Sequence, residues 1–168
     1  MFSSRAIRSN ILVAVAIAFV LLWVLVAAVA PPLASAETTI TVTEMIDEFN
    51  ESSNNAGDCS LREAIVAANE DRAIGGCAAG DGADTIIVPS GTYTLAIEDG
   101  GDARGIADDL DITEDLTLRG AGIGKTIIDG DDRFAIISIH TQSGDSPQPT
   151  VTVEQLTLQH AYASGDGG

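Results

Sequence analysis

Glu114-Asp115-Leu116-Thr117-Leu118-Arg119-Gly120-Ala121, EDLTLRGA, is echoed forty positions later by EQLTLQHA, Glu154 to Ala161. Both copies alternate apolar and polar side chains, the period of a strand with one buried face. Similar short runs surround them: TIIV from Thr85, TYTLAI from Thr92, TIIDG from Thr126, FAIISI from Phe134 and VTVEQLTLQ from Val151. Turns rich in Gly and Asp separate the runs, and none is long enough to be an independent domain. Repeat periods of about 20–50 residues signal stacked units, so the echo predicts successive coils of a solenoid. Two similar strands of a sandwich or barrel would give the same echo, and that alternative stays open here.

The chain upstream is organised differently. Thr38 to Thr43 alternates with β-branched residues and reads as a strand, and the polar run Asn50 to Gly57 ends it. Ser60 followed by Glu63 then forms a capping box, and Asp58 adds negative charge at the helix start. Leu61, Ala64, Ile65 and Ala68 fall on one helical face, and Gly75-Gly76 supplies the stop. A face so short would be marginal alone and needs something to lie against.

The first 36 residues have the order of an export signal. Arg5 and Arg8 precede an apolar run from Ile11 to Ala30, and Ala34-Ser35-Ala36 offers a small-x-small cleavage site before Glu37. Twenty apolar residues could also span a bilayer, so an uncleaved anchor is the alternative. Cleavage after Ala36 leaves all 25 acidic and six of the eight basic residues, a net charge of about −19. Such a surface repels nucleic acid, whose binding depends on clustered Lys and Arg. Cys59 and Cys77 are the only cysteines, and in an oxidising compartment they read as one disulfide. A zinc site would need more thiols or nearby histidines, whereas His140 and His160 lie far along the chain.

Cys59-Ser60-Leu61-Arg62-Glu63-Ala64 spells the motif of the CSLREA-domain proteins, and the chain resembles that family. The likeness continues in Gly76-Cys77, Gly82 to Ile86, Pro89 to Tyr93 and Leu116 to Gly122, covering roughly residues 38 to 168. The chain departs from the family pattern by lacking a further upstream cysteine. The resemblance implies an all-β solenoid: the N-terminal coils of an exported right-handed parallel β-helix of the pectin lyase-like kind, with a short N-terminal capping α-helix. The expected division is a signal peptide at 1–36, a strand and disulfide-held capping helix at 37–82, and the first coils at 83–168. Ser164 to Gly168 falls where the family continues into further coils, so the chain is expected to be truncated. On this reading the helix is the lid over an open coil, with Leu61, Ala64, Ile65 and Ala68 facing inward.

Three further features invite chemistry. Gly120 to Thr126, GAGIGKT, suggests a phosphate loop but encloses three residues where four are needed and leads into a strand, so it reads as a turn. Asp129-Gly130-Asp131-Asp132-Arg133 could hold calcium or supply carboxylates, but the cluster lies in one turn and no neighbouring run repeats it. Arg62 sits in the first helical turn, where the macrodipole disfavours it; a local ion pair with Glu63 or Asp58 is one explanation and ligand binding the other. Phe49, Tyr93, Phe134 and Tyr162 are the only aromatics after the signal, few for stacking on sugars. The expectation is a secreted or cell-surface, non-catalytic scaffold with no cofactor or metal, adhesive or structural. Its partners would be extracellular polysaccharide or cell-surface components, not nucleic acid, and it would meet the membrane only through the N-terminal segment. The alternative is a polysaccharide lyase or hydrolase of the pectate-lyase-like type whose site lies in missing coils.

Overall fold

Short β-branched runs punctuated by turn residues become strands only if each finds a partner, and here every partner is parallel. The computed structural model describes residues 37–51, 58–98, 106–141 and 147–162; residues 1–36, expected to be an export signal, lie outside them. The chain is mostly β, with strands β1 (Thr39–Thr41), β2 (Asp84–Val88), β3 (Gly91–Thr94), β4 (Leu110–Ile112), β5 (Leu116–Gly120), β6 (Thr126–Asp129), β7 (Ile137–Ile139), β8 (Val151–Glu154) and β9 (Thr157–Gln159). Among the described residues one helix, α1 (Leu61–Asn69), interrupts them. The strands form three parallel sheets, in orders β1-β2-β5-β8, β3-β6-β9 and β4-β7. From β2 onward the chain therefore visits the first, second and third sheets in turn, then repeats.

Registered residues build apolar columns. Ile40, Ile86 and Leu118 align in the first sheet, Tyr93 and Ile128 in the second, and all five are buried. Leu110 and Ile112 of the third sheet are buried beside them. Parallel sheets need cover, and these columns supply it for one another as a single apolar core.

The forty-residue echo is not the structural register. Leu116 pairs with Val151 and Arg119 with Glu154, while Leu158, the echo of Leu118, lies in the second sheet beside Ile128. Any strand with one face inward has the same alternation, so the resemblance of the two segments reports their pattern and not their pairing. The run VTVEQLTLQ divides into β8 and β9 because Gln155 adopts a left-handed conformation, φ 55°. β4 was missed in the sequence: Leu-Asp-Ile is too brief to show a period.

The capping box of α1 is formed, Ser60 Oγ accepting from the Glu63 N–H and Glu63 Oε2 from the Ser60 N–H. The helix stops earlier than Gly75-Gly76, at Asn69, with Asp71 in the left-handed region at φ 49°. Gly75 serves another purpose: a side-chain carbon there would lie 2.5 Å from the Glu63 carboxylate. The inward face was also drawn too narrowly, since every residue from Leu61 to Asn69 is buried. Asn69 explains how: its Nδ2 donates to the Asp111 carbonyl and its Oδ1 accepts from the Thr113 N–H. The helix thereby satisfies the free edge of β4 as a neighbouring strand would.

Asp84, at the start of β2, is buried with its side chain inward. Its Oδ1 accepts from the backbone N–H groups of Thr38 and Asp81, whereas Oδ2 has no hydrogen-bond partner among the described residues. Burial raises its pKa against the opposing pull of those two N–H groups, and the charges of Asp71 and Asp81 add to the rise. A carboxyl whose pKa is raised on folding binds its proton more tightly when folded. Its contribution is thus most favourable below the unfolded pKa, about 3.9, and is lost as pH rises through the folded value. Asp84→Asn keeps the Oδ1 acceptor without the charge. Removing the buried charge is expected to stabilise the protein at pH 7, with the advantage shrinking as pH falls toward 4 and the wild-type carboxyl takes up its proton. Thermal melts of both proteins across that range check this.

Candidate functional site

The six residues of the Cys59–Ala64 motif converge on one interior hub. Cys59 and Cys77 are disulfide-bonded, with Cα atoms 4.8 Å apart. The backbone of Cys59 joins the loop after β1: its N–H donates to Thr43 Oγ1, and its carbonyl accepts from the N–H groups of Thr43 and Glu44. Ser60 and Glu63 form the cap, and Glu63 Oε1 also accepts from the Asn50 N–H. Leu61 and Ala64 are buried in the core.

Arg62 is the least expected member. Its side chain is fully enclosed, and Asp47 meets it through two bonds, Nε to Oδ1 at 2.7 Å and Nη2 to Oδ2 at 3.0 Å. Two more guanidinium N–H groups donate to the carbonyls of Asp108 and Asp109, just before β4. Asp47 Oδ2 in turn accepts from the N–H groups of Ala96 and Ile97, after β3. One ion pair therefore ties α1 to the loops around β1, β3 and β4. The sequence suggested a local ion pair with Glu63 or Asp58; the partner is instead Asp47, which lies in a segment with no helical or strand period, so its role could not be found there. The enclosure leaves no ligand-accessible face on the guanidinium.

The Asp129 turn is better placed for surface chemistry. Sequence reading left it isolated, yet the parallel pairing of β6 with β9 stacks Gln159 beside Asp129. Gln159 Nε2 donates to Asp129 Oδ2 at 2.7 Å, and His160 Nδ1 lies 3.0 Å from the same oxygen. Arg133 bridges the preceding turn, meeting Glu98 as well as Asp131, and lies over the Phe134 ring at 5.0 Å from its centroid. The Gln159 amide is the main cause holding the Asp129 carboxyl below its usual range, and the bond to Asp129 raises the His160 pKa. These groups come from three successive turns at the end of the second sheet. They form a chain of mutually satisfied charges, and among the described residues no group of three or more His, Cys, Asp or Glu is arranged to hold a metal ion.

The remaining candidates are structural. The Gly120–Thr126 segment is a turn into β6, with Gly122 and Gly124 at positive φ; the buried Thr126 hydroxyl accepts from the Ala121 N–H and lies within hydrogen-bonding distance of the Val88 and Pro89 carbonyls. A depression of about 230 Å³ opens at the start of the first sheet, lined by Glu37, Asp84, Asp115, Thr117, Thr150 and Thr152. Glu37 accepts from Thr85 Oγ1 and Asp115 from the Thr150 N–H, so its carboxylates hold neighbouring strands together.

Comparison with known family models, curated proteins and solved structures found no match. Among the described residues no helix is long and apolar enough to cross a membrane, and the disulfide fits an oxidising setting.

Proposed function

We propose that this chain is an exported, non-catalytic scaffold of the cell surface or extracellular space, built as the capped front of a right-handed parallel β-helix. The observation that carries the reading is the hub of Arg62, Glu63 and Asn69, whose polar atoms are spent on closing a sheet edge and joining loops. Repeated visits to three parallel sheets support the coil, and parallel crossovers are right-handed in nearly all proteins. Export is supported by the signal-like segment and the disulfide. Adhesion to polysaccharide or to cell-surface components is the role such a surface suits.

The lyase or hydrolase alternative would use the Asp129 turn, where carboxylates, Arg133 and His160 gather from neighbouring strands. Their mutual pairing favours the scaffold. Exported protein should begin near Glu37 by mass spectrometry and release no unsaturated or reducing ends from acidic polysaccharides. Retention of residues 1–36 in the membrane fraction would contradict cleavage, and released ends that disappear in Arg133→Ala would favour the enzyme.

A further inference from the structure

The loop that follows β1 is fastened to the hub from its inner side. Arg62 grips Asp47, the Glu48 carbonyl accepts from Ser60 Oγ, and the Asn50 N–H donates to Glu63 Oε1 at 2.9 Å. Its outer side differs in kind. Met45 is 55% and Ile46 67% exposed, two large apolar side chains next to each other, and Asn50 and Glu51 are exposed further along the same loop. Asn50-Glu51-Ser52 is an Asn-x-Ser sequence without proline in the middle, the acceptor pattern for N-linked sugar in secreted chains. Ser52 lies outside the described residues. None of the chain's other asparagines matches: Asn10, Asn54, Asn55 and Asn69 have Leu12, Ala56, Gly57 and Asp71 two positions on. Asn69 is moreover buried, with its side-chain amide bonded to Asp111 and Thr113.

We propose that Asn50 is a glycosylation site, its Nδ2 joined to an oligosaccharide that stands on the outer face of this loop. The proposal rests on the export reading above, because only an exported chain meets the transferase. The sugar donor is an oligosaccharide carried on a polyprenyl diphosphate. The Asn50 amide nitrogen attacks its anomeric carbon, so that a C–N bond forms and the anomeric C–O bond breaks. The lipid diphosphate leaves with the electron pair, and the amide gives up one proton to a base of the transferase. The hub tolerates the addition because the bond to Glu63 uses the Asn50 backbone and not the atom that is modified. A sugar chain is bulky and strongly solvated, so on this loop it screens Met45 and Ile46 from other molecules.

Mass spectrometry of protein isolated from the cells that make it is the test. The peptide containing Asn50 should carry the added mass of several sugars. Asn50→Gln and Ser52→Ala should each remove all of it, whereas Ser52→Thr should keep it. Both unmodified variants should retain the circular dichroism of the wild type and bind more tightly to a hydrophobic-interaction column. That difference should vanish when Met45→Gln and Ile46→Gln are added to glycosylated and unmodified forms alike. A chain that begins near Glu37 with Asn50 unmodified overturns the glycosylation and leaves export intact. A chain that keeps residues 1–36 inside the cell, also unmodified, overturns export itself. Sugar that persists in Asn50→Gln overturns the assignment to Asn50. Sugar at Asn50 with equal column retention of all forms overturns the screening of Met45 and Ile46.

Discussion

Arg62→Met is expected to lower stability by about 3–5 kcal/mol, the usual consequence of removing one partner of a buried ion pair. For a domain of this size that is a fall in melting temperature of roughly 10–20 °C. The penalty arises at Asp47, whose side chain is 5% exposed and would be left with the Ala96 and Ile97 N–H groups after losing its two bonds to Arg62. The carbonyls of Asp108 and Asp109 also lose their donors. Two comparisons separate this account from simple loss of packing. Arg62→Lys should rescue little, because one ammonium cannot reproduce the two-bond grip on Asp47 and reach both carbonyls. Adding Asp47→Asn to Arg62→Met should recover part of the loss, because the orphaned charge is gone. Melts that respond equally to Arg62→Met and Arg62→Lys, with no recovery in the double variant, would mean that the ion pair is not what holds the loops.

Replacing Cys59 and Cys77 with serine should cost about 3 kcal/mol, from the entropy of a loop spanning 18 positions. The loss should be felt first at α1. Cys59 immediately precedes the N-cap and is anchored to Thr43 and Glu44, while Cys77 sits on the returning segment, where the Gly76 N–H bonds the Asp58 carbonyl. Melts of the oxidised, reduced and serine forms check this. Identical midpoints for all three would show that packing alone positions the helix.

Part of this was legible in the sequence. Ser60 and Glu63 announce the helix start because a capping box is local chemistry, and Cys59 with Cys77 was the only pair available. The stop was misread because Gly75-Gly76 is the stronger sequence signal; Gly75 is left-handed at φ 56° but lies beyond the helix end, where Asp71 already turns the chain at φ 49°, and Gly75 is also kept small by the Glu63 carboxylate. Strand existence followed from alternation, but register did not. EDLTLRGA and EQLTLQHA match in pattern, and the turn at Gln155 moves the second copy into another sheet. Long-range partners were invisible for the same reason. Nothing near Asp47 marks it as the mate of Arg62, and the stacking of His160 on Asp129 exists only once β9 is paired with β6.

The central claim is that α1 is an integral wall of the stacked sheets, sealing the free edge of β4. Hydrogen–deuterium exchange of the protein, read by mass spectrometry on peptides spanning Leu61–Asn69, Asp84–Val88 and Leu116–Gly120, tests it most directly. A nine-residue helix alone would exchange almost freely, since helices shorter than about 12–15 residues are marginal in water. The account predicts that α1 exchanges in the same slow class as β2 and β5, through a shared opening of the whole fold. Rapid exchange across Leu61–Asn69 beside protected β2 and β5 would contradict it.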